Sequence, residues 1–426
     1  MFRSGALADL NQPAAIVYPA HTISGYATIR ALGESGVPVL ACSHTRHPHL
    51  KSRWAIPLLS PDFAQDPAGF VAFLNEVAGE LRFGAVLYVM EDVFAYLIHR
   101  HRAKLSPRIR YPFLDEAVLT NCLDKQPMLQ IAERAGLPIP WTHVVEGRHA
   151  PDDVPFPCLV KPLVSRFALG RDSQAETLDL FPRAFQGKCA VAHSYVELMP
   201  LLAKADDLGI PVCIQEFVPG PTSNLVVVYV YADARSRVLG AVSGRKLRQI
   251  PADCGTATLQ KAEYCEPALE QAAQLVDVLK FRGIAFIEFK QDERTGELKL
   301  MEINPRSGHG TGLAWLTGVN LPYLQYADML GLPVPKQRQS RTATWFDEFG
   351  DWRYFSRYRT SEGPERLSWS RWLMSLVGAH PAVLNLNDPL PGLLRLVPAG
   401  VWRLRRSKPS DDTAAMPNGF GVTSKR

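Results

Sequence analysis

The segment FIEFKQDERTGELKLMEINPRSGHG, residues 286–310, constrains the fold more tightly than any other stretch of the chain. Ile284–Lys290 and Leu298–Ile303 are apolar, β-branched-rich runs, and Asp292–Gly296 between them has turn chemistry, so the pair predicts a β-hairpin. Side chains alternate faces along a strand. Glu288, flanked by Ile287 and Phe289, therefore points opposite to its neighbours. Glu302, between Met301 and Ile303, does the same on the second strand, with Asn304 on its face. Pairing about the turn brings two carboxylates and an amide oxygen to one side. Carboxylates set among apolar residues need a compensating charge. Hard oxygen ligands on a rigid strand pair suit Mg²⁺, which is commonly held by carboxylates together with substrate phosphates. Arg306, just beyond, is placed to reach the phosphate end. The bland alternative is a hairpin with a solvated charged face. The large apolar flanks, the Pro-Arg after Asn304 and the Gly-rich segment that follows argue against it.

Upstream, PAAIVYP (13–19) reads as a strand, HTISGYATIRALGESG as a turn and amphipathic helix, and VPVLACS (37–43) as the next strand. This β-α-β start predicts a parallel sheet with crossover helices. AVLYVM (85–90) adds a strand, with helical segments at 68–81 and 91–105. The turn after the first strand has a single Gly25 and no GxGxxG, which disfavours a nicotinamide-linked Rossmann enzyme. His44, His47 and His49 crowd into SHTRHPHL, but Pro48 and the lack of helical spacing favour a loop over a metal site. LTNCLDKQPMLQIAER (119–134) predicts one helix ending at Ala135-Gly136. FPCLVKPL (156–163) is a strand with Lys161 inside an apolar run, where a lysine must snorkel or meet an anion. SYVELMPLLAKADDL (194–208) is a helix, VCIQEFV (212–218) a strand, and LVVVYVYA and 238–243 are further strands. In GRKLRQIP, extended backbone places Lys246 and Arg248 on one face, as a clamp for phosphate and substrate carboxylate or as a solvated face. Cys254 nearby lacks a base partner and reads as structural. Residues 268–280 are helical. SGHGTG then leads into a helix whose small-residue start suits an anion.

Composition narrows the function classes. A chain of 426 residues with 46% apolar and 21% charged content is globular, with room for about two or three domains. A net charge of +5 argues against a dedicated nucleic-acid binder. Seven cysteines without a CxxC pair predict reduced thiols in a cytoplasmic protein. Neither a signal-peptide core nor a run of the ~20 apolar residues needed to span a membrane is present.

The combination of MEINPR with an upstream IEFK resembles the metal-binding end of the ATP-grasp ligases. DK at 124–125 with AGLPIP, LVKP at 159–162 and QEFVPG at 215–220 follow the same family's order. The resemblance covers roughly 14–331 and lies closest to the carboxylate–amine ligase branch that includes D-aspartate ligases. It implies an α/β ATP-grasp fold with four parts. Residues 1–118 would be an open parallel-sheet, Rossmann-like domain. Residues 119–331 would be the ATP-binding part, with a small α+β lobe (119–218) and a large one (219–331). Residues 332–409 would be a mostly helical, aromatic and basic extension, and 410–426 a disordered tail. Glu288, Glu302 and Asn304 would hold the metal of Mg·ATP (Mn²⁺ as an alternative). Lys125 and Lys161 would contact phosphates. Gln215, Glu216, Phe217 and Val218 would frame the adenine. Arg306, with Lys246 and Arg248, would serve phosphoryl transfer. The loop VSRFALGRDS departs from the family's Gly-rich pattern, with Ser165, Arg166 and Arg171 as substitute contacts. Thr222, Ser223 and Asn224 stand where relatives carry an acidic ribose contact.

The implied chemistry is amide formation from a carboxylate and an amine through an acyl phosphate. Two alternatives are phosphorylation of a small acid or bicarbonate, and a non-catalytic nucleotide-binding module. Leu390–Arg406, with arginines gathered near its end, reads either as an amphipathic helix on an anionic membrane or as a helix packed on its own domain. A homodimer is left open.

Overall fold

The computed structural model describes residues 7–163 and 180–397, apart from 253, 335, 364 and 365. The substitute loop contacts Ser165, Arg166 and Arg171, the end of the 390–406 segment and the 410–426 tail lie outside the described residues.

Strands β1 (Ala14–Tyr18) and β2 (Val39–Ser43) flank helix α1 (Ile23–Gly33), whose start is fixed by the Thr22 hydroxyl accepting from the Gly25 amide. Strand β3 (Ala55–Leu59), helix α2 (Pro67–Glu80), strand β4 (Ala85–Val89), helix α3 (Asp92–Arg100) and the two-residue β5 (Ile109–Arg110) complete the first unit. All pairings are parallel, in the order β3-β2-β1-β4-β5. The open sheet expected from the sequence is present, and β1, β2 and β4 are buried along their whole length, as central parallel strands are. The histidine-rich loop becomes a short 3-10 turn, Pro48–Lys51, with His49 buried.

The helix expected across 119–134 is two helices. Helix α4 (Glu116–Leu123) stops at Asp124, which is extended and accepts from the Gln126 amide, and α5 (Lys125–Arg134) begins anew. An N-capping aspartate followed by Pro127, which has no amide to donate, favours a restart over continuity. The small lobe is an antiparallel sheet of β6 (Thr142–Val144), β7 (Cys158–Pro162), β8 (Ala190–Ala192) and β9 (Val212–Glu216), ordered β6-β9-β7-β8. Helices α6 (Leu180–Phe185) and α7 (Tyr195–Asp207) belong to the same lobe.

The large sheet is built from β10 (Leu225–Ala232), β11 (Val238–Ile250), β12 (Thr256–Ala262), β13 (Gly283–Gln291) and β14 (Leu298–Asn304), with α8 (Glu266–Leu279) behind it. One face packs on α4, α5 and α8. The other packs on α1, on α9 (Thr311–Leu316) and α10 (Leu321–Met329), and on the first sheet, so the two sheets share one core. The chain beyond 331 joins this sheet. Strand β15 (Gln337–Arg338) pairs with β11, β16 (Thr344–Phe346) with β12, and β17 (His380–Pro381) with β16. Helix α11 (Glu348–Tyr358) packs on β11 and β12, α12 (Trp369–Ser375) packs on α11, and α13 (Pro389–Leu396) lies against the 48–51 turn of the first unit. Among the described residues no helix is long and apolar enough to cross a membrane.

Two tertiary links tie this extension down. The Asp351 carboxylate, fully buried, accepts from Arg248, Thr258 and Trp372. Asp388 accepts from the Tyr26 and Ser52 hydroxyls and the Arg53 amide. The expectation of reduced thiols throughout is corrected: Cys189 and Cys254, 65 residues apart, form a disulfide. The other cysteines are free, and all but Cys265 are buried.

Candidate active site

Antiparallel pairing sets Glu288 directly opposite Glu302 and Phe286 opposite Asn304. A bulge immediately beyond, between Glu288 and Phe289, leaves Glu302 and Asn304 on the same face as Glu288. Asn304 Nδ2 donates to Glu302 Oε1 at 3.0 Å, and Lys246 Nζ stands 2.6 Å from Glu288 Oε1. Burial pushes the Glu302 carboxyl up, but Lys125, the Asn304 amide, Lys246 and Lys188 together hold it below the usual range. Arg306 donates in a fork to Asp92, at 2.7 and 2.9 Å, and contacts the Asn304 oxygen at 3.3 Å. Its guanidinium lies over the Phe286 ring. Asp92, the first residue of α3, carries no local sequence signal for this role.

On the other side of the cleft, Lys161 Nζ donates to the Gln215 amide oxygen at 2.7 Å, and Lys125 Nζ to the Pro162 carbonyl at 3.4 Å. Lys188, which the sequence reading passed over, donates to Thr256 Oγ1 at 3.3 Å and lies close enough to Glu302 to help lower its pKa. Burial lowers the ammonium pKa of both Lys161 and Lys188. Among the described residues no carboxylate stands within ion-pair distance of Lys125, Lys161 or Lys188. The Lys161 ammonium, desolvated and with the neutral Gln215 amide as its partner, calls for an anion. A cavity beside Arg306 is lined by His99, Tyr111, Arg282, Ser307 and Gln325, and the Arg282 Nε has no hydrogen-bond partner.

Two expected site residues are otherwise engaged. Register shifts on either side of Arg248 break the alternation that was to align it with Lys246. Its guanidinium is bound in a fork to Asp351 at 2.7 and 2.8 Å, with Ser375 on its remaining nitrogen. It fastens the extension and is not free for phosphate. Glu216 is likewise taken: Lys299 donates to both its oxygens, Arg294 to one and the Trp141 amide to the other. Its side chain locks the hinge between the lobes and is closed to adenine. Gln215 is buried between Lys161 and Thr142, and the Phe217 amide donates to the Pro157 carbonyl. Val218 is buried at the start of the connecting stretch.

Asp292 completes the hinge cluster. Arg294 first, and Lys299 after it, hold its carboxyl well below the ordinary value of 3.8. A depressed carboxylate contributes stability in full above its unfolded pKa and loses it as pH falls through the folded value. Acidification below 3.8 should therefore lower the melting temperature of the wild type. Asp292→Asn should melt lower at neutral pH and flatten that acid slope. Parallel slopes for the two proteins would remove Asp292 from the account.

Among the described residues no group of three or more His, Cys, Asp or Glu side chains gathers for a metal. The hairpin instead offers two carboxylates and an amide oxygen on one face. That donor set fits a hard divalent cation whose remaining ligands come from phosphate and water.

The sheet orders and this cleft define a class of fold: the chain has the ATP-grasp fold of the solved structures it resembles. A family model described as ATP-grasp in the biosynthetic pathway with Ter operon matches residues 228–348, which include the hairpin. The chain is 26% identical over 279 residues to a D-aspartate ligase of Enterococcus faecium, covering 61% of this chain and 63% of that enzyme. Among solved structures it resembles an L-amino acid ligase from Bacillus licheniformis (TM-score 0.56, 16% identity, 79% of each chain). It also resembles a biotin carboxylase from Campylobacter jejuni (TM-score 0.58, 13% identity, 79% of this chain and 75% of that one). At these identities the structural likeness speaks to the fold.

Proposed function

We propose that this chain is an ATP-dependent carboxylate–amine ligase, acting on small molecules in the cytoplasm. The observation that carries the reading is the facing of two opposed carboxylates, Glu288 and Glu302, by lysines that lack anionic partners among the described residues, across a hinged cleft. A polyphosphate with its metal ion would satisfy both walls at once. The likeness to a D-aspartate ligase supports the branch.

Lys125, Lys161 and Lys188 bind the polyphosphate of ATP, and the backbone of Phe217 and Val218 borders the base. Glu288, Glu302 and Asn304 would hold Mg²⁺, which would supply charge neutralisation for the phosphates. Arg306, fixed in orientation by Asp92, faces the transferring group. Lys246 steers the substrate carboxylate toward it. A carboxylate oxygen attacks the γ-phosphorus and ADP leaves, giving an acyl phosphate. The amine then attacks the acyl carbon, phosphate departs and the nitrogen loses a proton. The protein's contribution is position and charge neutralisation. The cavity between Arg282 and Arg306 is the place for the carboxylate-bearing substrate.

The test is ADP and phosphate release from Mg·ATP by purified protein with amino acids, singly and in pairs, and mass detection of products. Release that needs both an acid and an amine, with a condensed product, is expected. Release with an acid alone would instead point to a phosphorylating enzyme.

A further inference from the structure

The lobes that flank the cleft are joined at two places on the same end of the large sheet. One is the hinge, where Glu216 meets Lys299 of β14 and Arg294 of the turn after β13. The chain itself crosses there, with the Glu216 amide donating to the Trp141 carbonyl. The other is the Cys189–Cys254 disulfide. Cys189 immediately precedes β8, the edge strand of the small sheet away from β6. Cys254 lies in the connection between β11 and β12, on the far side of β10 from the hinge hairpin. A body held only at a hinge can swing. One also fastened at its opposite edge cannot, and the second fastening lies at the carboxylate site. Lys188, beside Cys189, bonds Thr256, two residues past Cys254, and its ammonium faces Glu302 and Glu288.

We propose that Cys189 and Cys254 are a redox-modification site, a thiol–disulfide latch that fixes the small lobe over the cleft and controls nucleotide passage. The inference deepens the nucleotide-dependent function proposed above, although the latch itself requires only that the lobes move. The chemistry is exchange with a small-molecule disulfide. The thiolate of Cys189 attacks one sulfur of that disulfide, forming a mixed disulfide and expelling a thiolate. The thiolate of Cys254 then attacks the Cys189 sulfur and expels the second. Two protein thiols are oxidised, one small disulfide is reduced to two thiols, and the two protons go to the leaving groups. A small dithiol runs the reaction backwards. Access separates Cys189 and Cys254, both partly exposed, from Cys42, Cys122, Cys158 and Cys213, which are buried; Cys265 is also partly exposed but is not paired in a disulfide. Burial pushes the thiols of Cys42 and Cys122 far up and that of Cys158 to about 11.

Full-length protein is prepared reduced with dithiothreitol or oxidised with glutathione disulfide, and the 189–254 linkage is followed by peptide mapping. Hydrogen exchange without nucleotide reads lobe motion. Release of a fluorescent ADP derivative reads passage. Oxidation should slow exchange in the small lobe and slow nucleotide release by at least about tenfold, because release from lidded sites follows lid opening. Cys189→Ser and Cys254→Ser should behave as the reduced wild type under both conditions. Equal hydrogen exchange in the two wild-type forms, or persistence of the oxidation effect in Cys189→Ser, would overturn the latch. Slowed exchange with no nucleotide bound to either form would uphold the latch and reject the nucleotide-dependent function.

Discussion

Replacing Glu302 by glutamine is expected to abolish nucleotide turnover, with kcat falling by about 10²–10³-fold or more, in a protein that still folds. The carboxylate lies opposite Glu288 on a paired strand, and burial already opposes its charge. What keeps it ionised is the ring of Lys125, Asn304, Lys246 and Lys188. Glutamine preserves the shape and the acceptor toward Asn304 while removing the charge that would meet a divalent cation. The fold should not suffer, since a neutral amide is easier to bury than an anion. ADP release and melting temperature, measured on the same preparation, separate the effects. A folded variant that releases ADP at the wild-type rate would remove Glu302 from the metal site.

Replacing Asp351 by alanine should have the largest effect on stability, about 3–5 kcal/mol, because it strands the buried Arg248 guanidinium without its anion. Thr258 and Trp372 lose an acceptor in the same step. The double variant Arg248→Met with Asp351→Ala should recover part of the loss, since no uncompensated charge remains. Chemical denaturation of the single and double variants measures both. An Arg248→Met protein with wild-type stability but no turnover would return Arg248 to the catalytic role that its position in GRKLRQIP suggested.

The hairpin was legible because two periods agreed: alternation put Glu288, Glu302 and Asn304 on one face, and the turn set them opposite one another. The parallel sheet was legible in its three long apolar strands. Arg248 was misread because the alternation argument assumes an unbroken strand, and register shifts flank that residue. Glu216 was misread because its partners Lys299 and Arg294 sit about eighty residues away, where only tertiary folding brings them near. Lys188 and the Cys189–Cys254 bond carry no local pattern at all. Strands β15 and β17 have two residues each, too short for any periodicity.

The clasp of Asp388 on Tyr26 and Ser52 spans 362 and 336 residues. Its consequence lies in synthesis. Chains emerge from the ribosome N-terminus first, and domains generally close as they appear. Here the opening domain emerges with its inner face unfinished, since that face shares a core with β10, α9 and α10 and is bolted from residue 388. The first hundred residues must wait, partly exposed, until residue 388 has been made. The inner face of the first sheet is therefore closed only once Asp388 has been made, and a nascent chain that stalls before that residue is a natural client for chaperones.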